Sequence, residues 1–331
     1  MPNPQRIEVT VARLAALGPG PIAVRDAIAS GLTRGQLRAA CESGAVFQLR
    51  RGVIIPRRLW TAGSADNRRL WAVMAALTAF PGAFASHETA ARLHGLPDYG
   101  MRPEGDPPRT HITRLGASRD EGWLRVHGCD TPMDRVVRVH GVSATDLVRT
   151  SIEVAARRSM RSAVVNLDAA MRISIGRDAG LRDLRHAVLD PVARGTTQAR
   201  WEEGLQPYAG RRWVTVVRRA VEIADPGSES VLESLSRLAI LEAGLPAPRC
   251  GVPVRGDDGR LYWADLLWDG QGVIGEADGA LKYTDASVML AEKRRQETLE
   301  AMGWRFVRWG MPEVSPDPRV MLARIRRALD I

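Results

Sequence analysis

The sequence predicts an α+β protein of several domains, because three kinds of pattern follow one another along the chain. The 331 residues are enough for two or three hydrophobic cores, and 45% of them are hydrophobic. Residues 6–55 show helical periodicity before a short alternating run, and residues 60–190 mix helical and alternating patterns. Residues 228–310 follow the order helix, strand, strand, helix, strand. We therefore expect a small N-terminal domain, a mixed α/β middle region and a C-terminal α/β core.

Charge and cysteine content favour a cytoplasmic protein with an anionic partner. The formal net charge is +9 and the isoelectric point is about 10.3, a balance typical of nucleic-acid-binding proteins, although an arginine-rich proteome would also produce it. No apolar run reaches the roughly 18–20 residues that a membrane span needs. The N-terminus also lacks the apolar segment of a signal peptide. Cys41, Cys129 and Cys250 are scattered, so we expect reduced thiols and no membrane partner.

Residues 1–58 are predicted to form a winged helix-turn-helix. Helical spacing predicts a first helix that ends at Gly18, and a short second helix follows it. Thr33 is suited to begin a third helix, because its hydroxyl can accept a hydrogen bond from a free amide of the next turn. Residues 46–54 then alternate like a hairpin with a tight turn.

Polar side chains of the third helix and of the hairpin are candidates for contact with DNA. A recognition helix presents polar and arginine side chains to base edges in the major groove. Arginines of the wing would meet phosphates, which adds affinity without sequence information. A small helical domain with solvated arginines is the alternative. The candidate DNA-binding residues here are Arg34, Gln36, Arg38, Arg50 and Arg51.

Three short motifs in this segment carry a family resemblance. They are Gly31-Leu32-Thr33, Leu37-Arg38 and Gly44-x-x-x-x-Leu49-x-x-Gly52-Val53. With these residues the segment resembles the N-terminal domain of AbiEi-type antitoxins of type IV toxin–antitoxin systems. The resemblance implies double-stranded DNA as one partner and a toxin or another protein as a second.

Residues 59–190 are predicted to form a single mixed α/β domain. Alternation over residues 109–142 predicts short antiparallel strands. The predicted helices cover residues 70–80, 86–95, 146–158 and 162–171, with Ser86 and Gly95 as caps. A helical connector over residues 191–226 then ends at the turn Asp225-Pro226-Gly227.

Two histidines of the middle domain invite a metal interpretation that their spacing does not support. His87 and His94 lie two helical turns apart, too far to share one ion without a third ligand between them. We expect structural roles for both. The motifs Ser86-His87-x-x-Ala90-Ala91-x-Leu93-His94-Gly95-Leu96-Pro97 and Leu167-Asp168-Ala169-Ala170 resemble the body of AbiEi-like proteins. This domain is therefore expected to be a scaffold or a partner-binding surface.

Acidic residues in two adjacent strands are the main candidates for chemistry in residues 227–331. The predicted strands, 261–268 and 273–278, are separated by four residues. With that loop, Trp268 pairs with Val273, Leu267 pairs with Ile274, and Asp265 lies opposite Glu276. Opposed Cβ atoms are roughly 5 Å apart, so these carboxylates would repel one another unless a cation lay between them. Asp278 lies on the same face as Glu276.

Other charged side chains are predicted to complete this site. Lys282 could orient water or neutralise phosphate charge, and Glu233 lies on one face of the preceding helix with Glu229 and Arg237. The other side of that helix is predicted to pack against the sheet with Leu232, Leu235 and Leu238. Arg294 and Arg295 are predicted to face a phosphate backbone. Carboxylates that converge on Mg²⁺ or Mn²⁺ suit phosphodiester hydrolysis. An ordinary hairpin with exposed acids is the alternative, although acids inside apolar strands are costly without a partner.

An ordered set of motifs carries a second resemblance. The motifs are Glu229-Ser230-x-x-Glu233-Ser234-x-x-Arg237, Gly244-Leu245-Pro246-x-Pro248, Asp265-Leu266, Glu276-x-Asp278-Gly279, Glu292-Lys293-Arg294-Arg295 and Gly303-Trp304-Arg305-x-x-Arg308. With these residues the segment resembles the Vsr-like branch of the PD-(D/E)XK endonuclease superfamily, as found in uncharacterised actinobacterial proteins. The resemblance implies a restriction-endonuclease-like α/β core in which Asp265 and Glu276 bind Mg²⁺ (or Mn²⁺). Asp278 and Glu233 would support them, and Lys282 would stand in for the lysine that the family's E-x-K motif has at Asp278.

The candidate residues and the two resemblances lead us to expect one of two functions. One is a DNA-binding protein with a metal-dependent endodeoxyribonuclease domain, in defence against phages and mobile DNA, with RNA left open as the substrate. The alternative is a non-enzymatic, antitoxin-like transcriptional repressor. Such a repressor would bind its own promoter and would hold a protein partner through a degenerate nuclease fold.

Overall fold

The chain is described by a computed structural model covering residues 4–101, 109–129, 135–180, 183–278 and 286–331. It divides into two compact units. The first unit comprises Met1–Gly95 and Met101–Thr150, and the second comprises Leu96–Gly100 and Ser151–Ile331. Both units combine helices with β-sheet, so the predicted mixed α and β composition is confirmed.

The first unit contains a short helical region, a hairpin and a larger sheet. Its helices are α1 (Pro4–Ala16), α2 (Val24–Ala29), α3 (Arg34–Glu42), α4 (Arg57–Ala62), α5 (Ala65–Ala79) and α6 (His87–His94). Its strands are β1 (Ile22–Ala23), β2 (Val46–Arg50), β3 (Val53–Pro56), β4 (Phe84–Ala85), β5 (Thr110–Leu115), β6 (Arg119–Asp120), β7 (Leu124–Cys129), β8 (Val136–Val139) and β9 (Val142–Thr145). Helix α7 (Leu147–Ala155) crosses the boundary between the units along the chain.

The order of three helices followed by a hairpin, predicted for the N-terminal segment, is present. Helix α3 begins with a capping box, in which the Gln36 amide N–H donates to Thr33 Oγ1 over 3.2 Å and the Thr33 amide N–H donates to Gln36 Oε1 over 2.8 Å. Strands β2 and β3 pair antiparallel, and β1 joins the other edge of β3. Leu14, Leu37 and Ile54 pack into one buried cluster beneath these elements.

The larger sheet of the first unit differs from the predicted antiparallel arrangement. Its strand order is β6-β7-β5-β4-β9-β8, and β7 runs parallel to β5 while β4 runs parallel to β9. Alternation along a strand reports which side chains share a face, and it carries no information about the direction of the neighbouring strand. Here the short strand β6 returns the chain along the outer edge of β7, which lets β7 lie parallel to β5.

The caps and histidines of α6 follow the prediction in part. Gly95 ends the helix in the left-handed conformation at φ 82°, as expected. Ser86 occupies the first cap position, but its hydroxyl accepts from Thr113 Oγ1 over 2.7 Å and does not cap the helix. His94 Nε2 lies 2.8 Å from the carbonyl oxygen of Thr145, and the ring of His87 stacks on another imidazole of the unit. These contacts agree with structural roles for both histidines.

The second unit packs helices around a four-stranded sheet. Its helices are α8 (Met160–Asp178), α9 (Leu184–Ala187), α10 (Pro191–Leu205), α11 (Val214–Ile223), α12 (Val231–Glu242), α13 (Ala286–Ala301) and α14 (Arg319–Leu329). Its strands are β10 (Arg249–Arg255), β11 (Leu261–Trp268), β12 (Val273–Ala277) and β13 (Arg305–Trp309). The sheet order is β10-β11-β12-β13, with only the β12–β13 pair parallel.

Strand β10 has no counterpart in the predicted elements. Its sequence contains Gly251 and Pro253, which both disfavour a strand interior. The structure accommodates them because β10 is an edge strand, where one row of backbone groups needs no neighbouring strand. Gly251 also adopts φ 60° and lies against the backbone of Gly227, so a side chain at this position would collide with that segment.

The two faces of the sheet are covered by different helices. Leu235 of α12 and Ile325 of α14 share a buried cluster with Trp268 and Trp309 of the sheet. On the other face, Leu299 of α13 packs against residues of β11 and β12. The predicted burial of Leu232, Leu235 and Leu238 on α12 is confirmed.

A buried ion pair joins α8 to α12. Arg237 Nη2 lies 2.8 Å from Asp168 Oδ2 and 2.9 Å from Oδ1, and the two side chains are 5% and 1% exposed. The backbone amide of Asp225 also donates to Asp168 Oδ1 over 2.8 Å. These contacts bring α8 into the same compact unit as the C-terminal sheet, whereas the sequence analysis grouped α8 with residues 59–190.

Within the part of the chain that the structure describes, no helix combines the length and apolarity required to cross a bilayer.

Removing the cation of this buried pair should strongly destabilise the second unit. Arg237→Met leaves Asp168 as an uncompensated buried charge, so we expect the free energy of unfolding to fall by about 3–5 kcal/mol. Urea unfolding followed by circular dichroism measures this change. Arg249→Met is the matched control, because Arg249 pairs with Asp269 at exposures of 63% and 48% and should change stability by about 1 kcal/mol or less. Equal effects of the two substitutions would contradict the assignment.

Candidate functional site

The hairpin of β11 and β12 has the predicted register. Trp268 pairs with Val273 and Leu267 pairs with Ile274, and the ladder continues with Leu266 opposite Gly275. The next residues along the two strands are Asp265 and Glu276. Asp265 Oδ2 accepts a hydrogen bond from the backbone amide of Ala277 over 2.9 Å, so its carboxylate lies against β12 beside Glu276.

Glu276 is buried, and an arginine holds both of its carboxylate oxygens. Glu276 as a whole is 7% exposed. Arg295 Nη2 lies 2.8 Å from Glu276 Oε1, and Arg295 Nη1 lies 3.3 Å from Oε2. The same guanidinium donates to the carbonyl oxygen of Trp263 over 2.8 Å, which fixes it over β11. A carboxylate at this depth requires such a partner, because burial removes the water that would otherwise solvate its charge.

The Glu276–Arg295 pair belongs to a chain of alternating charges that spans α13, β12 and β13. Glu292 Oε1 lies 2.9 Å from Arg295 Nη1 and 2.7 Å from Arg308 Nη2. Arg308 Nη1 in turn lies 3.3 Å from Asp278 Oδ2. We call this group, together with Asp265, the acidic network. Its described members are four carboxylates and two guanidinium groups, and each guanidinium lies between two of the carboxylates.

The pKa values of the two glutamates of the network shift in opposite directions. Burial raises the pKa of Glu276 above its ordinary value, against the opposing effect of Arg295, and the neighbouring charge of Asp265 raises it further. Burial also acts to raise the pKa of Glu292. There, hydrogen bonding to Arg308 and the charge of Arg295 outweigh it, so the pKa lies below its ordinary value. Glu276 therefore carries the less favourable charge of the two.

Arg295 does not lie where the sequence predicted. Its side chain is 14% exposed and is engaged by two acids, whereas the adjacent Arg294 is exposed. Consecutive residues on a helix point about 100° apart, so only one of the two arginines can face the sheet. We therefore remove Arg295 from the predicted phosphate-contacting residues and retain Arg294.

Glu233 serves the start of α12. It is 6% exposed, and its Oε2 accepts from the backbone amide of Glu229 over 2.7 Å. Ser230 Oγ accepts in return from the amide of Glu233 over 3.1 Å, so both side chains satisfy backbone donors at the helix terminus. The predicted supporting role of Glu233 at the acids stays a prediction. Lys282 lies outside the described residues.

Glu292 and Arg308 are members of the acidic network that the sequence analysis did not assign to the site. Two signals were available for them. Glu292 lies three residues before Arg295, the spacing at which helical side chains meet. Arg308 shares a face of β13 with Phe306, and in the parallel register it pairs with Glu276. Only the strand order shows that β13 neighbours β12.

The candidate DNA-binding residues of the first unit divide into exposed and engaged side chains. Arg34, Arg38 and Arg51 are exposed. The Gln36 carboxamide oxygen is used in the capping box of α3, so this side chain has a structural role at the helix start.

Arg50 requires a correction. Its guanidinium lies 4.6 Å from the centre of the Phe80 ring and 5.1 Å from that of Trp123, and it pairs with Glu121. The side chain is 9% exposed, so it packs inside the unit and does not point to solvent. An arginine attracts aromatic faces and carboxylates as readily as phosphates, and the wing sequence does not show which partner it meets.

The oxygen donors of Asp265 and Glu276 suit a hard divalent cation. Mg²⁺ typically takes one or two carboxylates and keeps several water molecules or substrate oxygens. In the described ranges, no group of three or more histidine, cysteine, aspartate or glutamate side chains is arranged to hold a metal. Metal binding at the two-carboxylate site stays a prediction.

Comparisons with known proteins find uncharacterised relatives. No protein-family model matches the chain. It is 28% identical over 305 residues to the uncharacterised proteins MT2308 and Rv2248 of two Mycobacterium tuberculosis strains, and the alignments cover 90% of this chain and 98% of each relative. The crystal structure of the RV2827C protein of M. tuberculosis matches with a TM-score of 0.38 at 17% identity, covering 64% of this chain and 82% of that one.

The two glutamates of the network should respond to pH with opposite signs. The folded pKa of Glu276 lies above 4.5, so its stabilising contribution is present below pH 4.5 and is lost as the pH rises through the raised value. The folded pKa of Glu292 lies below 4.5, so its contribution is present above pH 4.5 and is lost as the pH falls through the lowered value.

Urea unfolding of the wild type, Glu276→Gln and Glu292→Gln across this pH range measures both contributions. The stability of the wild type relative to Glu276→Gln should decrease with rising pH, whereas its stability relative to Glu292→Gln should increase. Slopes of the same sign would contradict the electrostatic assignment.

Proposed function

We propose that this chain is a DNA-binding protein whose C-terminal domain is a Mg²⁺- or Mn²⁺-dependent endodeoxyribonuclease. The observation that carries this proposal is the meeting of Asp265 and Glu276 on adjacent strands. Two carboxylates from neighbouring strands are the donor set that a metal-assisted phosphodiesterase requires. A bound ion would polarise the phosphate and provide a nucleophilic hydroxide.

The surrounding side chains have roles that suit this chemistry. Asp265 and Glu276 would hold the ion, and Ala277 orients Asp265 through its backbone amide. Arg308 lies between Glu292 and Asp278 at the end of the same face, where a cation can neutralise a phosphate oxygen. Asp278, Glu233 and Lys282 are proposed as supporting groups from the family resemblance alone.

The order of elements is compatible with a PD-(D/E)XK core. Residues 227–331 contain a helix, an antiparallel three-stranded region, a helix and a further strand that is parallel to β12. The acids lie on β11 and at the end of β12, as the resemblance to Vsr-like proteins implies. We propose this architecture for the second unit and a winged helix-turn-helix for residues 1–58.

The proposed DNA-reading surface consists of three exposed arginines. Arg34 and Arg38 lie one turn apart on α3, and Arg51 lies in the turn between β2 and β3. An exposed helix face beside a basic turn can contact base edges and phosphates together. The net charge of +9 supports an anionic partner. The resemblance to AbiEi-type antitoxins extends the proposal to defence against mobile DNA in the cytoplasm.

One observation favours a second candidate function. Both oxygens of Glu276 are taken by Arg295, and an aspartate stands where the E-x-K pattern has lysine. These features suit a non-enzymatic repressor that binds its own promoter and uses the second unit to hold a toxin or another protein. Cleavage and divalent-ion binding separate the two candidates.

Neutralising either strand acid should abolish cleavage. Asp265→Asn and Glu276→Gln keep the side-chain shape but remove a metal-binding charge, so we expect at least a ~100-fold loss of Mn²⁺-dependent nicking. The assay follows the conversion of supercoiled plasmid and of single-stranded and RNA substrates. Asp257→Asn, in the exposed turn between β10 and β11, is the matched control and should cleave like the wild type. The enzyme proposal fails if the wild type and the two site variants share the same lack of cleavage on all substrates.

Loss of the exposed arginines should weaken DNA binding with a change in salt dependence. Arg34→Ala, Arg38→Ala and Arg51→Ala should each lower affinity in gel shifts. Each removed phosphate contact should reduce the slope of log affinity against log salt concentration by about 0.9. Arg138→Ala, at an exposed position of β8, is the control. Unchanged affinity in all three variants would reject this surface.

A further inference from the structure

We propose that Arg295 is a built-in counter-cation of Glu276 and releases this carboxylate when a divalent ion binds. This inference rests on the proposed metal site and adds a mechanism that controls access to it. Arg295 would then occupy the place at Glu276 that the ion takes.

Arg295 and a divalent ion require the same carboxylate oxygens of Glu276. Arg295 places one nitrogen 2.8 Å from Glu276 Oε1 and another 3.3 Å from Oε2, so both oxygens face the guanidinium. An ion held by Glu276 and Asp265 would need at least one of these oxygens. A divalent cation and a guanidinium that share one buried carboxylate also repel one another strongly. Binding of the ion therefore requires Arg295 to withdraw.

Arg295 retains other hydrogen-bond acceptors when it leaves Glu276. Its Nη1 already lies 2.9 Å from Glu292 Oε1, three residues earlier on the same helix. Its Nη2 also donates to the carbonyl oxygen of Trp263. Because these contacts come from its own helix and from the β11 backbone, the guanidinium remains paired after release. The exchange does not strand a buried charge.

The side chains of the acidic network differ in how far they are exposed to solvent. Arg295 is 14% exposed, Glu292 is 30% exposed, and Arg308 is 26% exposed. The network therefore extends from a buried carboxylate to half-buried groups that water can reach. In contrast, the Asp168–Arg237 pair is 1% and 5% exposed and lacks such a gradient. Only the acidic network offers the guanidinium an outward path.

The energetic consequence is that Arg295 lowers the divalent affinity of the wild type. The free energy of the ion–carboxylate interaction is reduced by the free energy of the Arg295–Glu276 contact that is lost. Removal of the guanidinium should also leave Glu276 without the cation that lies at both of its oxygens, and an added cation would compensate this charge. An Arg295 variant should therefore bind divalent ions more tightly. A residue with only a structural role would weaken binding when replaced.

The test is a direct titration of the full chain with Mn²⁺, followed by electron paramagnetic resonance of the free ion. We expect Arg295→Gln to bind Mn²⁺ about tenfold more tightly than the wild type, corresponding to ~1.4 kcal/mol. Lys293→Gln removes an exposed cation of the same helix and should leave the affinity unchanged. Glu276→Gln in the Arg295→Gln background should abolish the gain.

The outcomes separate this inference from the proposed function. If the wild type binds Mn²⁺ and folded Arg295→Gln binds it equally or more weakly, the counter-cation role is wrong while the metal site stands. If neither protein binds Mn²⁺, both the inference and the metal-dependent function fail. If Arg295→Gln does not fold, Arg295→Met replaces it. Methionine keeps part of the apolar stem of arginine and removes the charge, so tighter binding supports the role and unchanged or weaker binding overturns it.

Discussion

The buried ion pair between Asp168 and Arg237 determines how the second unit is assembled. A charged pair of this depth is stable only when both partners are present. Here Asp168 holds Arg237 of α12 and the backbone amide of Asp225, so one carboxylate gathers three chain segments. Helix α12 then covers one face of the sheet with Leu232 and Leu235. The opposite face is thereby left for α13 and the acidic network.

A buried charge also needs a partner of opposite charge in the acidic network, but the partner there is less enclosed. Glu276 is buried in a strand and needs a cation, and Arg295 provides one. Unlike Arg237, Arg295 shares its charge with a second acid of intermediate exposure. A pair that is enclosed on all sides holds the fold, whereas a pair linked to more exposed groups can exchange partners. We therefore propose that the ion-pair partner of Glu276 can be exchanged, and we assign a structural role to Asp168.

Neighbouring arginines in this chain take contrasting roles. Arg50 packs against Phe80 and pairs with Glu121, while Arg51 is exposed. Arg295 holds Glu276, while Arg294 is exposed. In each case the arginine that turns inward stabilises its unit, and its neighbour is left to meet an external anion. The high arginine content therefore serves both internal pairing and the proposed contact with nucleic acid.

The sequence by itself determined the features that depend on near neighbours in the chain. The cap at Thr33, the end of α6 at Gly95, and the pairing of Trp268 with Val273 across a four-residue loop follow from residue type and short spacing. Apolar periodicity likewise placed Leu232 and Leu235 in the core. These features were predictable because their energies arise within a few residues, or across one tight turn.

Only the tertiary structure decided which distant groups meet. Asp168 and Arg237 are 69 residues apart, and Arg295 reaches Glu276 from a helix 19 residues further along the chain. The parallel course of β5 and β7 and the edge strand β10 likewise depend on neighbours that local patterns do not report. An arginine can satisfy many partners at similar free energy, so its sequence position alone does not select one. Packing made that choice, and it converted two acids predicted for an ion into a site that already holds a cation of its own.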